Sequence, residues 1–213
     1  MEIGKEANNN LSFKTHLTYT IFQEREKMSI QKLKNPLTED YFNYKDYVLS
    51  DGNIPWFFKN RTTYFSETYK GDKPIDIGYF SHTLVDRPHQ EHEYKYAIPK
   101  VDSSLFKQSY LILKSILNYN NITLNVLYRL NLNLTLHQTP SKSVYHTDLP
   151  YPHKIFILYL NTCSGETFVK VKDQELKSKP KEDKVIVFDG KYKHCQGVPK
   201  LDEKRVILVA NYI

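Results

Sequence analysis

Ile122-Thr123-Leu124-Asn125-Val126-Leu127-Tyr128-Arg129-Leu130-Asn131-Leu132-Asn133-Leu134-Thr135-Leu136-His137 alternates along almost its whole length. Successive strand residues point to opposite faces, so Ile122, Leu124, Val126, Tyr128, Leu130, Leu132, Leu134 and Leu136 share one side. Thr123, Asn125, Leu127, Arg129, Asn131, Asn133, Thr135 and His137 share the other. The first face asks for apolar packing; the second is polar enough to line a cavity. A strand this long is predicted to bend or break once.

Short strand-like runs follow it: Lys154 to Leu160, Glu166 to Val171, a segment near Gln174 to Leu176, Lys184 to Phe188 and Arg205 to Ile213. Asn161 to Gly165 reads as a turn between two of them. Helical patterns lie upstream. Thr38 is an N-cap candidate followed by Glu39 and Asp40, with Tyr41, Phe42, Tyr44, Tyr47 and Val48 giving an apolar face as far as Leu49. Asp102 and Ser103 are cap candidates for a second helix to about Leu117, with Leu105, Phe106, Ser109, Leu113, Ile116 and Leu117 mostly on one stripe. Between the helices, Ile54 to Phe58 is short and extended, and its Trp56 reads as core or pocket wall. Ile75 to Val85 reads as a strand. Gly71 to Pro74 and Arg87 to Tyr96 read as turn and loop, and Thr15 to Phe22 has weak strand character. Helices first and strands later predict an α+β fold with a C-terminal β-sandwich or barrel.

At 213 residues, 40% hydrophobic and 25% charged, the composition is that of one globular domain with a core, plus at most an extension. The abundance of Tyr and Phe, 17 and 11, suits β architecture and amphipathic pocket walls. No apolar run is long enough to cross a bilayer, and Met1 to Asn10 lacks the apolar stretch of a secretion signal. Cys163 and Cys195 are too few for a disulfide framework, so reduced thiols in a cytosolic setting are expected. The net charge of +6 suits nucleic acid, an acidic substrate or an anionic co-substrate. Lys170 to Lys193 is lysine-rich; a solvated hairpin face accounts for it, with a phosphate-binding strip as the other reading.

The chemistry-bearing pattern is Val144-Tyr145-His146-Thr147-Asp148, then Val185-Ile186-Val187-Phe188-Asp189-Gly190-Lys191-Tyr192-Lys193-His194, then Arg205. On a strand, positions i and i+2 share a face, so His146 and Asp148 can reach one metal ion, with His194 completing the set from the end of an apolar strand. Two imidazoles and a carboxylate leave the opposite positions open, as in non-haem Fe(II) oxygenases. Zinc also takes such ligands, but favours four-coordination and hydrolysis. Taking Lys200 to Asp202 and the residues around it as a hairpin loop, with pairing centred between Pro199 and Lys200, sets position 194 opposite position 205, about 5 Å apart at Cβ. Arg205 would then stand beside the metal, where a guanidinium grips a carboxylate with two parallel hydrogen bonds. His89 and His92, with Glu91 and Glu93, form a competing cluster that reads better as a solvated loop. His137 and His153 read as loop or supporting groups, and Cys195 as core.

The segment from His146 to Ile213 resembles the core of the 2-oxoglutarate- and Fe(II)-dependent dioxygenases. The basic residue eleven positions past the distal histidine is similar to the prolyl 4-hydroxylase-like branch. Arg129 to Leu134 resembles a strand of virus- and phage-encoded members. The likeness covers roughly Ile122 to Ile213. It implies a double-stranded β-helix (jelly-roll) core over about 122–213, inside a single domain spanning 31–213 with flanking N-terminal helices, and residues 1–30 as an extension. It further implies that His146, Asp148 and His194 are the catalytic iron ligands and that Arg205 binds the distal carboxylate of 2-oxoglutarate. Asn133 and Tyr159 are weaker candidates for co-substrate contacts.

The activity implied is oxidative decarboxylation of 2-oxoglutarate with O2, coupled to hydroxylation of a C–H bond, with ascorbate as reductant. The implied substrate is a peptidyl proline or another amino-acid side chain of a peptide or protein, in the cytoplasm (of a host, for a virus-encoded member). Two alternatives stay open: oxidative demethylation of a nucleic-acid base, and a non-catalytic jelly-roll binding protein. No membrane partner is implied, and the oligomeric state is left open.

Overall fold

The computed structural model describes residues 30–62, 75–86 and 99–213. The Thr15 to Phe22 segment, the Gly71 to Pro74 turn and the His89/His92 cluster lie outside them. The alternating stretch forms β5, Leu127–Leu136. Residues 122–126 are not strand; they run beside the C-terminus, where Asn125 and Val126 donate backbone hydrogen bonds to the Ile213 carbonyl at 2.7 and 3.0 Å. The expected break therefore falls at the start of the run, before Leu127.

The remaining elements are β1 Gln31–Leu33, α1 Glu39–Leu49, β2 Phe57–Lys59, β3 Tyr79–Asp86, β4 Lys100–Val101, α2 Phe106–Tyr119, β6 Lys154–Tyr159, β7 Thr167–Val171, β8 Gln174–Ser178, β9 Val185–Asp189, β10 His194–Gln196 and β11 Lys204–Tyr212. An eight-stranded sheet runs β1-β9-β6-β11-β5-β3-β2, with β4 also on β3, and a three-stranded sheet runs β10-β7-β8. The pairings are antiparallel. This is an antiparallel two-sheet core in the manner of a jelly roll.

Each face of the larger sheet has its own core. Leu130, Leu132, Phe156, Leu158, Val185, Val187, Leu208 and Ala210 join Tyr41, Tyr44 and Val48 of α1 and Leu113, Ile116 and Leu117 of α2. On the opposite face Ile155, Ile157, Ile186, Phe188, Ile207 and Val209 meet Val169 and Val171 of the smaller sheet. Burying such side chains stabilises by roughly 1.5–3 kcal/mol each. With both faces covered, β6, β9 and β11 read as unbroken apolar runs, whereas β5 keeps its alternation because its inner face is polar.

Local signals explain the helices. Thr38 caps α1, its Oγ1 accepting from the Tyr41 backbone N–H at 3.2 Å. Lys45 is buried and ties α1 to the β8–β9 turn through Glu182 at 2.6 Å and Asp183 at 2.9 Å. At α2 the cap differs from expectation. The N-cap position is Leu105, which makes no side-chain cap bond. Ser103 Oγ instead accepts from the Leu105 N–H at 3.1 Å and pairs with the buried His82 ring at 2.8 Å. The Ile75 to Val85 run becomes strand only from Tyr79, because Asp76 turns inward to bind Thr62 and Val144. Trp56 is half-buried and packs on the helix-side core. Lys170, Lys172 and Lys177 are exposed on the β7–β8 hairpin. Both cysteines are free and buried. No helix of the described residues is long and apolar enough to cross a membrane.

Candidate metal centre

Two backbone hydrogen bonds bring the histidines together. His146 N–H donates to the His194 carbonyl at 3.0 Å, and His194 N–H to the His146 carbonyl at 2.9 Å. Directly opposed antiparallel residues project to the same face, so the two rings meet, with centroids 4.6 Å apart. Asp148 follows two residues on from His146. It does so through a bend, because residues 144–148 make only this isolated bridge and not the continuous strand expected. Asp76 holds the segment from the other side, its Oδ1 accepting the Val144 N–H at 3.0 Å. Burial works against the Asp76 carboxylate, but the N–H and hydroxyl donors of Val144, Thr62 and Ile77 hold it below the usual range.

His146, Asp148 and His194 each offer a ligand atom within 4.8 Å of the others. His146 Nε2 is 3.7 Å from Asp148 Oδ1, and His194 Nε2 is 3.9 Å from Oδ2. Ligands about 2.0–2.2 Å from a shared metal lie no more than about 4.4 Å apart, so both separations fit. The second ring nitrogens fix the tautomers. His146 Nδ1 is 2.9 Å from the Val144 carbonyl and His194 Nδ1 is 3.3 Å from the Tyr192 carbonyl. A carbonyl only accepts, so each Nδ1 carries hydrogen and each Nε2 lone pair faces the centre.

Electrostatics keep the donors in their ligating forms. Burial pushes the His194 imidazole down to about 4, leaving it neutral at physiological pH. Burial opposes ionisation of Asp148, yet His194, Arg129 and His146 nearby and a hydrogen bond from Asn211 hold its carboxyl well below the usual range. Asn211 Nδ2 donates to Asp148 Oδ2 at 2.8 Å, and Arg129 Nη1 lies 3.5 Å from Oδ1. Gly190 sits where a Cβ would come within 2.1 Å of the His153 ring, so only glycine lets the turn before His194 close this tightly.

Arg205 reaches the site by a route other than the one expected. β10 and β11 are not a hairpin: β10 belongs to the smaller sheet, while Arg205 stands opposite Thr135 of β5 in the larger. Pairing 194 with 205 is therefore incorrect; the two residues converge across the sandwich. The physical reason is that β11 has better partners, pairing over nearly its whole length with β5 and in part with β6. Arg205 is buried and donates from Nε to the Gly165 carbonyl at 3.0 Å, from Nη1 to Gln196 Oε1 at 3.0 Å and from Nη2 to Thr167 Oγ1 at 2.9 Å. Two of a guanidinium's five N–H bonds remain. Gly165 makes room for it, since a Cβ there would lie 2.7 Å from the Gly197 carbonyl and 3.1 Å from Arg205 Cδ.

The triad and Arg205 line one cavity of about 70 Å³. One water needs about 10–15 Å³, so a molecule of several heavy atoms fits. Asn133 also lines it, its Oδ1 accepting from Ser81 Oγ at 3.1 Å. Tyr159 does not line the cavity: its hydroxyl donates to Thr167 Oγ1 at 2.8 Å and its ring lies 5.7 Å from the Arg205 guanidinium carbon. His137 and His153 do not line the cavity; their Nδ1 atoms lie 3.0 and 2.8 Å from the Pro199 and Tyr151 carbonyls. Sequence reasoning missed Thr167, Gln196 and Gly165 around Arg205, and Asn211 beside Asp148. Asn211 carried one signal, a lone polar residue in an apolar run. Arg129 falls on the polar face of the alternating pattern, which does not report that it ends beside Asp148.

No family model matches the sequence, and no curated protein matches it. Solved structures match by shape. An oxidoreductase of the 2OG-Fe(II) oxygenase family from Burkholderia pseudomallei gives a TM-score of 0.54 at 16% identity, covering 75% of this chain and 73% of that one. A prolyl hydroxylase from Trichoplax adhaerens, solved with a peptide fragment of hypoxia inducible factor, gives 0.54 at 12% identity over 98% and 94%. The α-ketoglutarate-dependent epimerase SnoN from nogalamycin biosynthesis gives 0.53 at 10% over 88% and 78%. The fold is that of the 2OG-Fe(II) oxygenases. Within it the donor set is two imidazoles and one carboxylate, a combination that fits a non-haem Fe(II) ion with positions left open.

Proposed function

We propose that this chain is a 2-oxoglutarate- and Fe(II)-dependent dioxygenase that hydroxylates a C–H bond of an amino-acid side chain, a peptidyl proline being the first candidate. The observation that carries this reading is the convergence of His146, Asp148 and His194 on a cavity whose other end is Arg205. In it, residues 31–213 form the catalytic domain. His146, Asp148 and His194 hold Fe(II), and Arg205 takes the distal carboxylate of 2-oxoglutarate with its two remaining N–H bonds.

Bound Fe(II), with 2-oxoglutarate and O2, supplies the oxidising power that inserts one oxygen atom into a C–H bond while 2-oxoglutarate becomes succinate and CO2. The protein's own residues position and insulate. Thr167 Oγ1 already accepts from Tyr159 and Arg205, so its hydroxyl hydrogen is left to meet the same carboxylate. Asn133 offers its amide N–H bonds from the facing strand. Ile155, Ile157, Ile207 and Val209 wall the cavity and keep it poor in water, which strengthens each charged contact. Val144 and Tyr192 hold the two imidazoles in the ligating tautomer. Ascorbate serves as reductant when turnover uncouples.

Nucleobase demethylation is the second reading. It draws on the outer face of the smaller sheet, where Lys142 lies 3.6 Å over the Phe168 ring and Lys170 lies 4.0 Å over Tyr145. Calorimetry with Mn(II), followed by 2-oxoglutarate, tests the site; both should bind with one-to-one stoichiometry, and failure of either sinks the reading. Mass spectrometry then decides the substrate. A gain of one oxygen on proline-containing peptides supports the first reading, and loss of the alkyl group from alkylated oligonucleotides the second.

A further inference from the structure

The cavity holds a second guanidinium that the proposed chemistry leaves unused. Inward-facing residues of β5 and β11 pair across the ladder, with Thr135 opposite Arg205, Asn133 opposite Ile207, Asn131 opposite Val209 and Arg129 opposite Asn211. An arginine therefore stands at each end of this tract. Arg205 is held by three hydrogen bonds, from Nε, Nη1 and Nη2. Arg129 lines the same cavity with its side chain 11% exposed, and among the described residues its charged partner is Asp148, at 3.5 Å. That separation lies beyond the range of a good N–H···O bond.

A nearly buried guanidinium with its donors unspent is costly unless an anion meets it. Asp148 does not meet the need once it ligates a metal, since its charge is then shared with a dication. The site's fixed charges sharpen the point. A divalent metal, Arg129 and Arg205 outweigh Asp148 by three positive charges, and the 2-oxoglutarate dianion leaves one over. We infer that Arg129 binds a carboxylate of the primary substrate, so that the side chain oxidised belongs to an acid and not to a neutral residue. This rests on the oxygenase reading and, among its amino-acid substrates, sets an acid in place of peptidyl proline. Arg129 Nη1 is 3.5 Å from Asp148 Oδ1 and lines the same cavity as the triad, so an acid held there would place its oxidised carbon only a few bonds from the acid group. Either the α-carboxylate of a free amino acid or the side chain of an Asp or Glu residue supplies that chemistry.

Melting curves of the Mn(II)- and 2-oxoglutarate-loaded full chain test this. The probes are free L-amino acids against their carboxamides, and capped Asp and Glu dipeptides against their Asn and Gln counterparts. At least one acid should raise the melting temperature saturably, at a concentration about tenfold to hundredfold below its amide partner. Response among free amino acids or among capped dipeptides tells the two sources apart. In Arg129→Gln the acid–amide difference should shrink to about twofold, while Arg129→Lys keeps part of it. Calorimetry should show Mn(II) and 2-oxoglutarate still binding to both variants. An acid preference unchanged in Arg129→Gln, no acid preference in the unaltered chain, or a parallel loss of 2-oxoglutarate affinity would each overturn the assignment. If the unaltered chain binds neither Mn(II) nor 2-oxoglutarate, the oxygenase reading falls first; if it binds both, only the Arg129 assignment is at stake.

Discussion

The two faces of the larger sheet come from the same strands and are built to opposite ends. Toward the helices, β5 presents Leu130 and Leu132, β6 presents Phe156 and Leu158, and β11 presents Leu208, all buried in apolar contact. Toward the smaller sheet the same β5 presents Arg129, Asn133 and Thr135, and β11 presents Arg205 and Asn211, among isoleucines and a valine. The outer face stabilises the fold. The inner face gives some stability up, burying polar and charged groups in order to hold a site. Adjacent residues of one strand should therefore fail in different ways when changed.

The sharpest break is at Leu132. Leu132→Ala empties a fully buried position and should cost about 2–5 kcal/mol by urea unfolding. The protein that remains folded should bind Mn(II) with unaltered affinity; weakened metal binding would mean that the faces are not separable. Next comes a pH effect confined to the inner face. Burial holds His194 at about 4, against about 6.5 for an exposed imidazole. As pH falls, the unfolded chain takes up this proton first. Metal-free stability should therefore be full above about pH 6.5 and fall by roughly 3 kcal/mol on approach to pH 4. Urea midpoints across that window should flatten in His194→Ala, and an unchanged slope would remove His194 as the cause.

A smaller effect separates ligand from support. Asn211→Ala leaves the triad intact but frees Asp148 Oδ2, and should weaken Mn(II) binding about 10- to 100-fold by calorimetry. An effect on melting alone would assign Asn211 to the core. Smallest is Thr38→Ala on the helix side, which should cost about 1 kcal/mol of unfolding free energy and leave metal affinity untouched.

This division was partly legible in the amino-acid order. The period of two in β5 separates the faces residue by residue, because each leucine there needs apolar cover and each asparagine does not. His146, Asp148 and His194 stood out because few other chemistries need that set at that spacing. How Arg205 arrives was hidden. Lys200 to Asp202 reads locally as a hairpin loop, and nothing local reports that β11 pairs with β5 and β6 while β10 pairs with β7. Thr167, Gln196 and Gly165 were illegible for a related reason. They are ordinary residues whose importance comes from what lies across the sandwich. β3 starts later than the alternation predicts because Asp76 is drawn to Thr62 and Val144, contacts distant in sequence.

The central claim is that four side chains scattered over sixty residues of chain, His146 to Arg205, form one working pocket. The most direct measurement is succinate release from purified protein given Fe(II), 2-oxoglutarate, O2 and ascorbate. The unaltered chain should form succinate in step with 2-oxoglutarate consumption, His146→Ala should form none, and Arg205→Ala should need far more 2-oxoglutarate. Equal succinate from His146→Ala and the unaltered chain, or none from either, would contradict the account.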